Sequence, residues 1–205
     1  MISRQARRRS IIFAFSLLGS GVASSLLVGC KNRKPGFNSI DITGATYCHD
    51  FQLRDPIGNQ KTLQDFRGKY VMVIFGFTQC PDICPTALAR AAILMQKLGT
   101  DAEHLQVIFI TIDPERDNPA LLKEYTAQFN PSFLGLSTDL KHTKEVADEF
   151  RVYYDKVASG SSYTMDHSTI SYLFDPSGKV RLAMRHEHTA DQYLSDIRQL
   201  MTQRS

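Results

Sequence analysis

The apolar residues of this chain form continuous runs and helical repeats, which predict alternating strands and helices. The runs from Tyr70 to Phe77 and from Leu105 to Ile112 are rich in β-branched and aromatic residues, as is typical of strands covered on both faces. Between them, from Pro85, apolar residues recur at helical spacing until Gly99, which is expected to cap the helix. The predicted apolar face of this helix consists of Leu88, Ala91, Ala92, Met95 and Leu98.

Two further helices are predicted after the second strand. Asn118-Pro119 is a favourable start, with proline at the first helical position, and the pattern reaches about Phe129. Ser137 or Thr138 is then expected to cap a third helix that runs towards Phe150. These helices complete a β-α-β-α order followed by an extra helix.

The last third of the chain predicts a hairpin and a closing helix. Thr169 to Phe174 and Val180 to Met184 flank a turn at residues 175–178, and Ala190 to Met201 is amphipathic. A short strand at Phe51 to Leu53, followed by a turn, precedes the first long strand. The full order predicts an α/β protein with a thioredoxin-like fold, in which helices flank a central mixed sheet and a short strand or hairpin extends the N-terminus.

The first segment has the features of an export signal. Four arginines in the first nine residues precede an uncharged run from Ser10 to Val28. The sequence Leu27-Val28-Gly29-Cys30 is similar to the lipobox of bacterial lipoproteins, whose cysteine is acylated and becomes the mature N-terminus. We therefore predict a signal peptide over residues 1–29 and a lipid on Cys30. An uncleaved transmembrane helix is the alternative, although the small residues before Cys30 favour cleavage.

This interpretation places the protein on a bacterial cell membrane, held by a lipid anchor, with its domain in the periplasm. Residues 30–43 are polar and are predicted to form a flexible tether, and residues 44–205 form the domain. Removing residues 1–29 removes four arginines and no acidic residue, so the formal charge changes from +3 to −1. The remainder has no basic block, which argues against nucleic-acid binding.

The chemistry of the chain is concentrated at Cys80 and Cys84, which lie between the first long strand and its helix. The N-terminus of a helix favours the thiolate, which is the form that attacks disulfides and binds metals. Three residues separate the two cysteines, unlike the Cys-x-x-Cys motif of many redox proteins. Two such thiols can bind one metal ion, and soft thiolates select Cu(I), whereas Zn²⁺ prefers four ligands.

A third ligand is expected from His167, which precedes the predicted hairpin strand. In thioredoxin-like folds this loop faces the start of the first helix. Oxidoreductases of that fold carry a cis-proline here, whereas residues 164–168 contain no proline. Two thiolates and one imidazole would hold Cu(I) and tolerate Cu(II), so the histidine favours metal ligation over disulfide exchange.

Three ordered motifs resemble the Sco family, also called SenC and named for synthesis of cytochrome c oxidase. They are residues 76–86 (GFTQCPDICPT), 111–117 (TIDPERD) and 165–168 (MDHS). The resemblance covers about Asp41 to Met201. It implies a membrane-anchored protein that binds copper through Cys80, Cys84 and His167. The implied role is to deliver copper, or maintain the thiols, at the binuclear CuA site of cytochrome c oxidase subunit II or a related copper protein.

Other functions remain open at this point. A thiol-disulfide oxidoreductase would use Cys80 and Cys84 on the cysteines of a partner, and a copper or redox sensor would use the same ligands with a different partner. A peroxidase is a weaker alternative. Ala87 stands where peroxiredoxins have glutamate, and the chain has no tryptophan, the residue on which glutathione peroxidases rely. Cys48 is expected to be buried and inert.

Several other residues have two possible interpretations. The charged residues that follow the second strand could form a docking edge or a solvated loop; they are Asp113, Glu115, Arg116 and Asp117. Asp82 could contact a partner or serve the helix start, and Met165 could contact copper, although packing is preferred. His186 and His188 are expected to be exposed loop residues.

Overall fold

The computed structural model describes residues 36–203, which form a mixed sheet with four α-helices. The signal peptide predicted over residues 1–29, Cys30, and the tether as far as residue 35 lie outside the described residues. The strands are β1 (Ile40–Asp41), β2 (Leu53–Arg54), β3 (Gln60–Lys61), β4 (Tyr70–Gly76), β5 (Leu105–Thr111), β6 (Leu134–Leu136), β7 (Tyr154–Ser159), β8 (Ser162–His167), β9 (Ser171–Phe174) and β10 (Val180–Met184). The helices are α1 (Ile83–Leu98), α2 (Pro119–Phe129), α3 (Leu140–Glu149) and α4 (Ala190–Thr202).

The central sheet contains six strands in the order β1-β10-β9-β4-β5-β6. β4 pairs in parallel with β5 from Tyr70 opposite Leu105 to Gly76 opposite Thr111. Both strands are almost entirely buried, as their continuous apolar runs predict. Since two parallel strands end at the same edge of the sheet, the segments that follow Gly76 and Thr111 start side by side.

The two faces of the sheet are covered by different helices. Adjacent residues of a strand point to opposite faces. A side chain at Gly76 would meet Cys84 of α1, whereas Phe75 contacts the ring of Phe150, which follows α3. α4 packs on α1, and the Phe109 ring of β5 contacts Tyr125 of α2. The thiol-bearing helix and the Phe150 cluster therefore lie on opposite sides of β4.

Two helix starts differ from the sequence prediction. α1 begins at Ile83 and not at Pro85, so Cys84 lies in its first turn and Cys80 lies in the preceding loop. The predicted caps of α3, Ser137 and Thr138, are wrong. Asp139 is the cap, and its carboxylate accepts a hydrogen bond from the backbone N–H of His142. The short aspartate side chain one residue later satisfies the free N–H groups of the first turn.

The strands that the sequence did not predict include β6, β7 and β8. β6 has only three residues and joins the edge of the sheet beside β5. β7 and β8 form a separate two-stranded sheet, which we call the histidine hairpin (residues 154–167). Its last residue is His167, which therefore belongs to a strand and not to a loop. The hairpin of β9 and β10 is confirmed, with its first strand starting at Ser171.

The structured region begins earlier than residue 44. β1 pairs with β10, and Ile42 donates a backbone hydrogen bond to Arg181. The backbone N–H groups of Asn38 and Ser39 are held by the carboxylate of Asp196 in α4. The tether predicted over residues 30–43 is therefore shorter at its domain end. Within residues 36–203, no helix is long and apolar enough to cross a membrane.

Candidate functional site

The two cysteines lie where the chain passes from β4 into α1. The backbone N–H of Cys80 donates to the carbonyl of Phe77 at 3.2 Å, which closes a turn immediately after the strand. The backbone N–H of Cys84, one of the unsatisfied donors at the helix start, points to the Cys80 sulfur at 3.4 Å. Donors in this position stabilise a thiolate on Cys80.

The two thiols differ in exposure and in acidity. Cys84 is buried and Cys80 is half-buried. Hydrogen bonds from the Cys84 thiol, from His167 and from backbone N–H groups lower the pKa of Cys80 from 9.0 to about 3, against the effect of partial burial. The pairing with Cys80 and burial raise the pKa of Cys84. In the metal-free protein the pair therefore carries one negative charge, located on the more accessible sulfur.

Gly76 leaves room for the Cys84 side chain at the end of β4. A Cβ atom at this position would lie 2.6 Å from Cys84 Sγ and 2.8 Å from the ring of Phe109. Carbon and sulfur atoms in van der Waals contact are separated by much more than this, so any side chain would displace the thiol or the ring. The glycine that opens the first of the three sequence motifs therefore has a direct part in the geometry of the site.

His167 faces the thiol pair from the histidine hairpin. Its Nε2 lies 3.8 Å from Cys84 Sγ, and its Nδ1 lies 2.8 Å from the carbonyl oxygen of Ser168. A carbonyl only accepts hydrogen bonds, so Nδ1 carries a proton, and Nε2 is the ring nitrogen that faces the thiols. The ring of Phe77 packs edge-on against the imidazole at 6.0 Å and restricts its orientation.

The structure therefore brings together all three side chains of the predicted ligand set. Cys80, Cys84 and His167 come from a loop, a helix start and a strand end, and Cys84 lies next to both of the others. Two sulfurs and one imidazole nitrogen suit a soft or borderline metal ion. Across residues 36–203, no three His, Cys, Asp or Glu side chains are already grouped as a metal site.

Asp113 and Asp117 show that the segment after β5 is not a solvated loop. Both residues are 1% exposed. Asp117 accepts hydrogen bonds from the backbone N–H of Thr78 at 3.0 Å, from the Thr78 hydroxyl at 2.5 Å and from the Thr111 hydroxyl at 2.6 Å. It thereby fixes the residue that lies two positions before Cys80. The solvated interpretation of these two residues is wrong, because their charges are compensated inside the fold.

The remaining candidates lie outside the three-residue site or serve the fold. Burial raises the pKa of Cys48 to about 12, and the residue is 1% exposed, so the prediction of a buried thiol is confirmed. Met165 is buried in the core, as the packing interpretation requires. Asp82 occupies the cap position of α1 and accepts a hydrogen bond from the Thr86 hydroxyl at 3.4 Å. His186 is partly buried, and burial followed by the charge of Arg90 lowers its pKa.

Fold and site together define a thioredoxin-like protein whose Cys-x-x-x-Cys pair faces a histidine. Residues 41–202 match the family model described as SCO1/SenC, and the chain belongs to this family. An SCO2-like protein of Rickettsia felis is 37% identical over 175 residues, which cover 82% of this chain and 85% of that protein.

Two solved structures of similar chains are described as copper-bound. Bradyrhizobium japonicum ScoI with copper is 37% identical, with a TM-score of 0.67, over 73% of this chain and 96% of the other. Yeast Sco1 with copper is 36% identical, with a TM-score of 0.68, over 75% of this chain and 87% of the other.

Proposed function

We propose that this protein is a copper metallochaperone that assists assembly of the CuA centre of cytochrome c oxidase. In this proposal Cys80, Cys84 and His167 bind one copper ion, and the recipient is subunit II of the oxidase or a related copper protein. The observation that carries the proposal is the approach of His167 Nε2 to 3.8 Å from Cys84 Sγ, beside a thiol pair that already carries one negative charge. The copper-bound structures of similar family members support the choice of metal.

The different exposure of the ligands suggests how copper leaves. Cys84 is buried at the helix start, whereas Cys80 and His167 are partly exposed. An incoming thiolate or imidazole of the recipient can therefore replace Cys80 or His167 first, while Cys84 retains the ion. Such stepwise exchange passes through low coordination numbers, which Cu(I) accepts, and it requires no unfolding of the donor.

Anaerobic titration of the reduced full-length protein with Cu(I) tests this function. We expect one tightly bound ion, and we expect Cys80→Ala, Cys84→Ala and His167→Ala each to weaken binding strongly. After oxidation, a sulfur-to-copper charge-transfer band should mark the thiolate ligands. Binding that did not depend on His167 would contradict the three-ligand site.

A thiol-disulfide oxidoreductase is the second candidate, and the acidity of Cys80 favours it. An accessible thiolate next to a buried, protonated thiol is the arrangement of many redox pairs. The position of Cys80 in the loop, with Cys84 in the helix, also leaves a disulfide between them geometrically possible. Rapid reduction of a partner disulfide, together with weak copper binding indifferent to His167, would make this the main activity.

We further propose that Cys30 carries a lipid that holds the domain at the periplasmic face of a bacterial membrane. The support is the lipobox-like sequence at residues 27–30. A Cys30→Ser protein should lack the lipid, and mass spectrometry of the N-terminal peptide would detect this loss. If membrane fractionation showed that the intact Cys30→Ser protein stayed fully membrane-bound, the anchor would be an uncleaved helix.

A further inference from the structure

Most polar contacts between the histidine hairpin and the rest of the domain are made at one segment. The hairpin does not pair with the central sheet. Within residues 36–203, apart from the approach of His167 to the two thiols, its hydrogen bonds and ion pairs to other elements go to residues 113–116. The position of His167 relative to the thiols therefore depends on this short segment, which contributes no predicted ligand, as well as on the packing of Met165 in the core.

Arg116 connects the two halves of the site. Its Nη1 donates to the carbonyl of Tyr163 in β8 at 2.8 Å and to the side-chain oxygen of Gln79 at 3.1 Å. Gln79 is the neighbour of Cys80, and Tyr163 lies in the strand that ends at His167. The guanidinium also stacks 3.7 Å from the centre of the Tyr163 ring. One side chain thus touches both the cysteine loop and the histidine hairpin.

Asp113 holds this arginine in place. Its carboxylate accepts the Nε–H of Arg116 at 2.5 Å and the hydroxyl of Tyr163 at 2.9 Å. Asp113 is 1% exposed, and its own backbone N–H is fixed by the Thr111 hydroxyl at 2.9 Å. These charge-assisted hydrogen bonds fix the relative position of the two side chains. Removing either member would leave the charge of the other unpaired.

We propose that Arg116, held by Asp113 and Tyr163, is a positioning residue that sets the distance between His167 and the thiol pair. Tyr163 and His167 are four residues apart in β8 and point to the same side of the strand, with about 13 Å between them. Arg116 and Asp113 therefore hold the strand that carries the histidine, and they do not act through the metal. This inference rests on the proposed copper site and goes beyond it, because it assigns a role to a residue that touches no predicted ligand.

A double-mutant cycle on the full-length protein tests the inference, with Cu(I) affinity measured by competition with a chelator. Arg116→Lys retains the charge but loses the planar fork and the stacking. We expect it to weaken Cu(I) binding about tenfold or more, as substitutions behind metal ligands do. In a His167→Ala background the same substitution should have no further effect, because Arg116 acts through His167.

Glu115→Gln is the matched control, since Glu115 holds the same hairpin only through an exposed ion pair with Lys156. Exposed pairs contribute little, so its Cu(I) affinity should stay within about twofold of the wild type. If Arg116→Lys does not fold, Tyr163→Phe replaces it in the cycle, because it removes only the hydroxyl that contacts Asp113. Equal weakening in both backgrounds, or none in either, would overturn the inference.

Amide hydrogen exchange of the metal-free protein provides a readout independent of copper. In Arg116→Lys, the amides of β7 and β8 should exchange faster while those of β4 and β5 stay unchanged. Faster exchange throughout the domain would show a general loss of stability and would also overturn the inference. A wild-type protein without a copper site, or one insensitive to His167→Ala, would instead disprove the proposed function, so the two failures are distinguishable.

Discussion

Gly76 determines whether the buried thiol can occupy its position. Gly76→Ala would place a methyl group 2.6 Å from Cys84 Sγ and 2.8 Å from the Phe109 ring, neither of which can move far in a packed core. We expect the free energy of unfolding to fall by about 1–3 kcal/mol, as is usual for an overpacked core. Cu(I) affinity should also fall, because Cys84 is displaced. Urea denaturation and copper titration would measure the two effects.

Gly36→Ala makes the same chemical change in open space, since no atom lies within 4 Å of the position of its Cβ. It should leave both stability and Cu(I) affinity unchanged. A Gly76→Ala protein as stable as this control would show that the end of β4 can relax around the added methyl group.

The acidity of Cys80 predicts an unusual pH profile for its reactivity. Alkylation requires the thiolate, and the pKa of Cys80 is lowered from 9.0 to about 3. In the metal-free protein, the rate of reaction with iodoacetamide should therefore be nearly constant from pH 8 to about pH 5 and should fall only near pH 3. Mass spectrometry of the modified peptides would assign the reaction, with buried Cys48 and Cys84 as unreactive controls. A midpoint near pH 9 would contradict the proposed hydrogen bonding to Cys80.

The same pKa shift has a consequence for stability. Because folding lowers the pKa of Cys80, the unfolded chain binds the additional proton between about pH 3 and pH 9. The stabilising contribution of the Cys80 thiolate is therefore complete above about pH 9 and is lost as the pH falls towards 3. A Cys80→Ser protein should lack this component when the pH dependence of unfolding is compared with that of the wild type.

At the scale of the secondary-structure elements, substitutions can test which residue caps the N-terminus of α3. Asp139 accepts hydrogen bonds from the His142 backbone N–H at 2.9 Å and from His142 Nδ1 at 2.6 Å. Asp139→Ala should lower the urea midpoint, because it leaves a helix N–H group without its acceptor. Ser137→Ala and Thr138→Ala, at the positions that the sequence alone suggested, should leave the midpoint unchanged. An equal loss from Thr138→Ala would contradict the observed cap.

Long elements with a buried face were predictable, whereas short or exposed strands were not. β4 and β5 are buried on both faces, so their apolar runs are visible in the sequence. β7 has no fully buried residue, so it lacks the alternation that marks a strand. β6 is too short for any periodic pattern and forms because β5 offers it a neighbouring edge. Burial explains the difference better than intrinsic strand propensity does.

The three residues of the candidate site were predictable from the sequence, but the residues that hold them in place were not. Cys80 and Cys84 stand out by spacing, and His167 by its place in the predicted fold. By contrast, a sequence gives no sign that Asp113 and Asp117 are buried, because aspartates after a strand are usually solvated. Their role depends on Thr78, Thr111 and Tyr163, which only the folded chain brings into contact.

At the scale of the whole molecule, the important connection is the one between the domain and the segment leading to Cys30. Asp196, 0% exposed in α4, accepts hydrogen bonds from Asn38 N at 2.7 Å, Ser39 N at 2.9 Å and Asn38 Nδ2 at 3.0 Å. A buried carboxylate with three N–H donors is well compensated. It therefore fixes the point at which the predicted tether leaves the domain, immediately before β1 joins the sheet.

Replacing this carboxylate should release the N-terminal segment without affecting the copper site. Asp196→Asn substitutes an N–H₂ group for one acceptor oxygen and removes the charge, so we expect a loss of about 2 kcal/mol in the free energy of unfolding. The amide of Ile42, which donates to Arg181, should exchange faster with solvent, while Cu(I) affinity is retained. Asp191→Asn is the control on the same helix, because it removes only an exposed ion pair with Lys97 and should cost less than about 1 kcal/mol. Copper affinity should be retained because β1 is an edge strand of the sheet, whereas the thiols lie beyond the end of β4. Unchanged exchange at Ile42 in Asp196→Asn would mean that pairing with β10 alone holds the segment. The domain boundary would then be set by the sheet and not by α4.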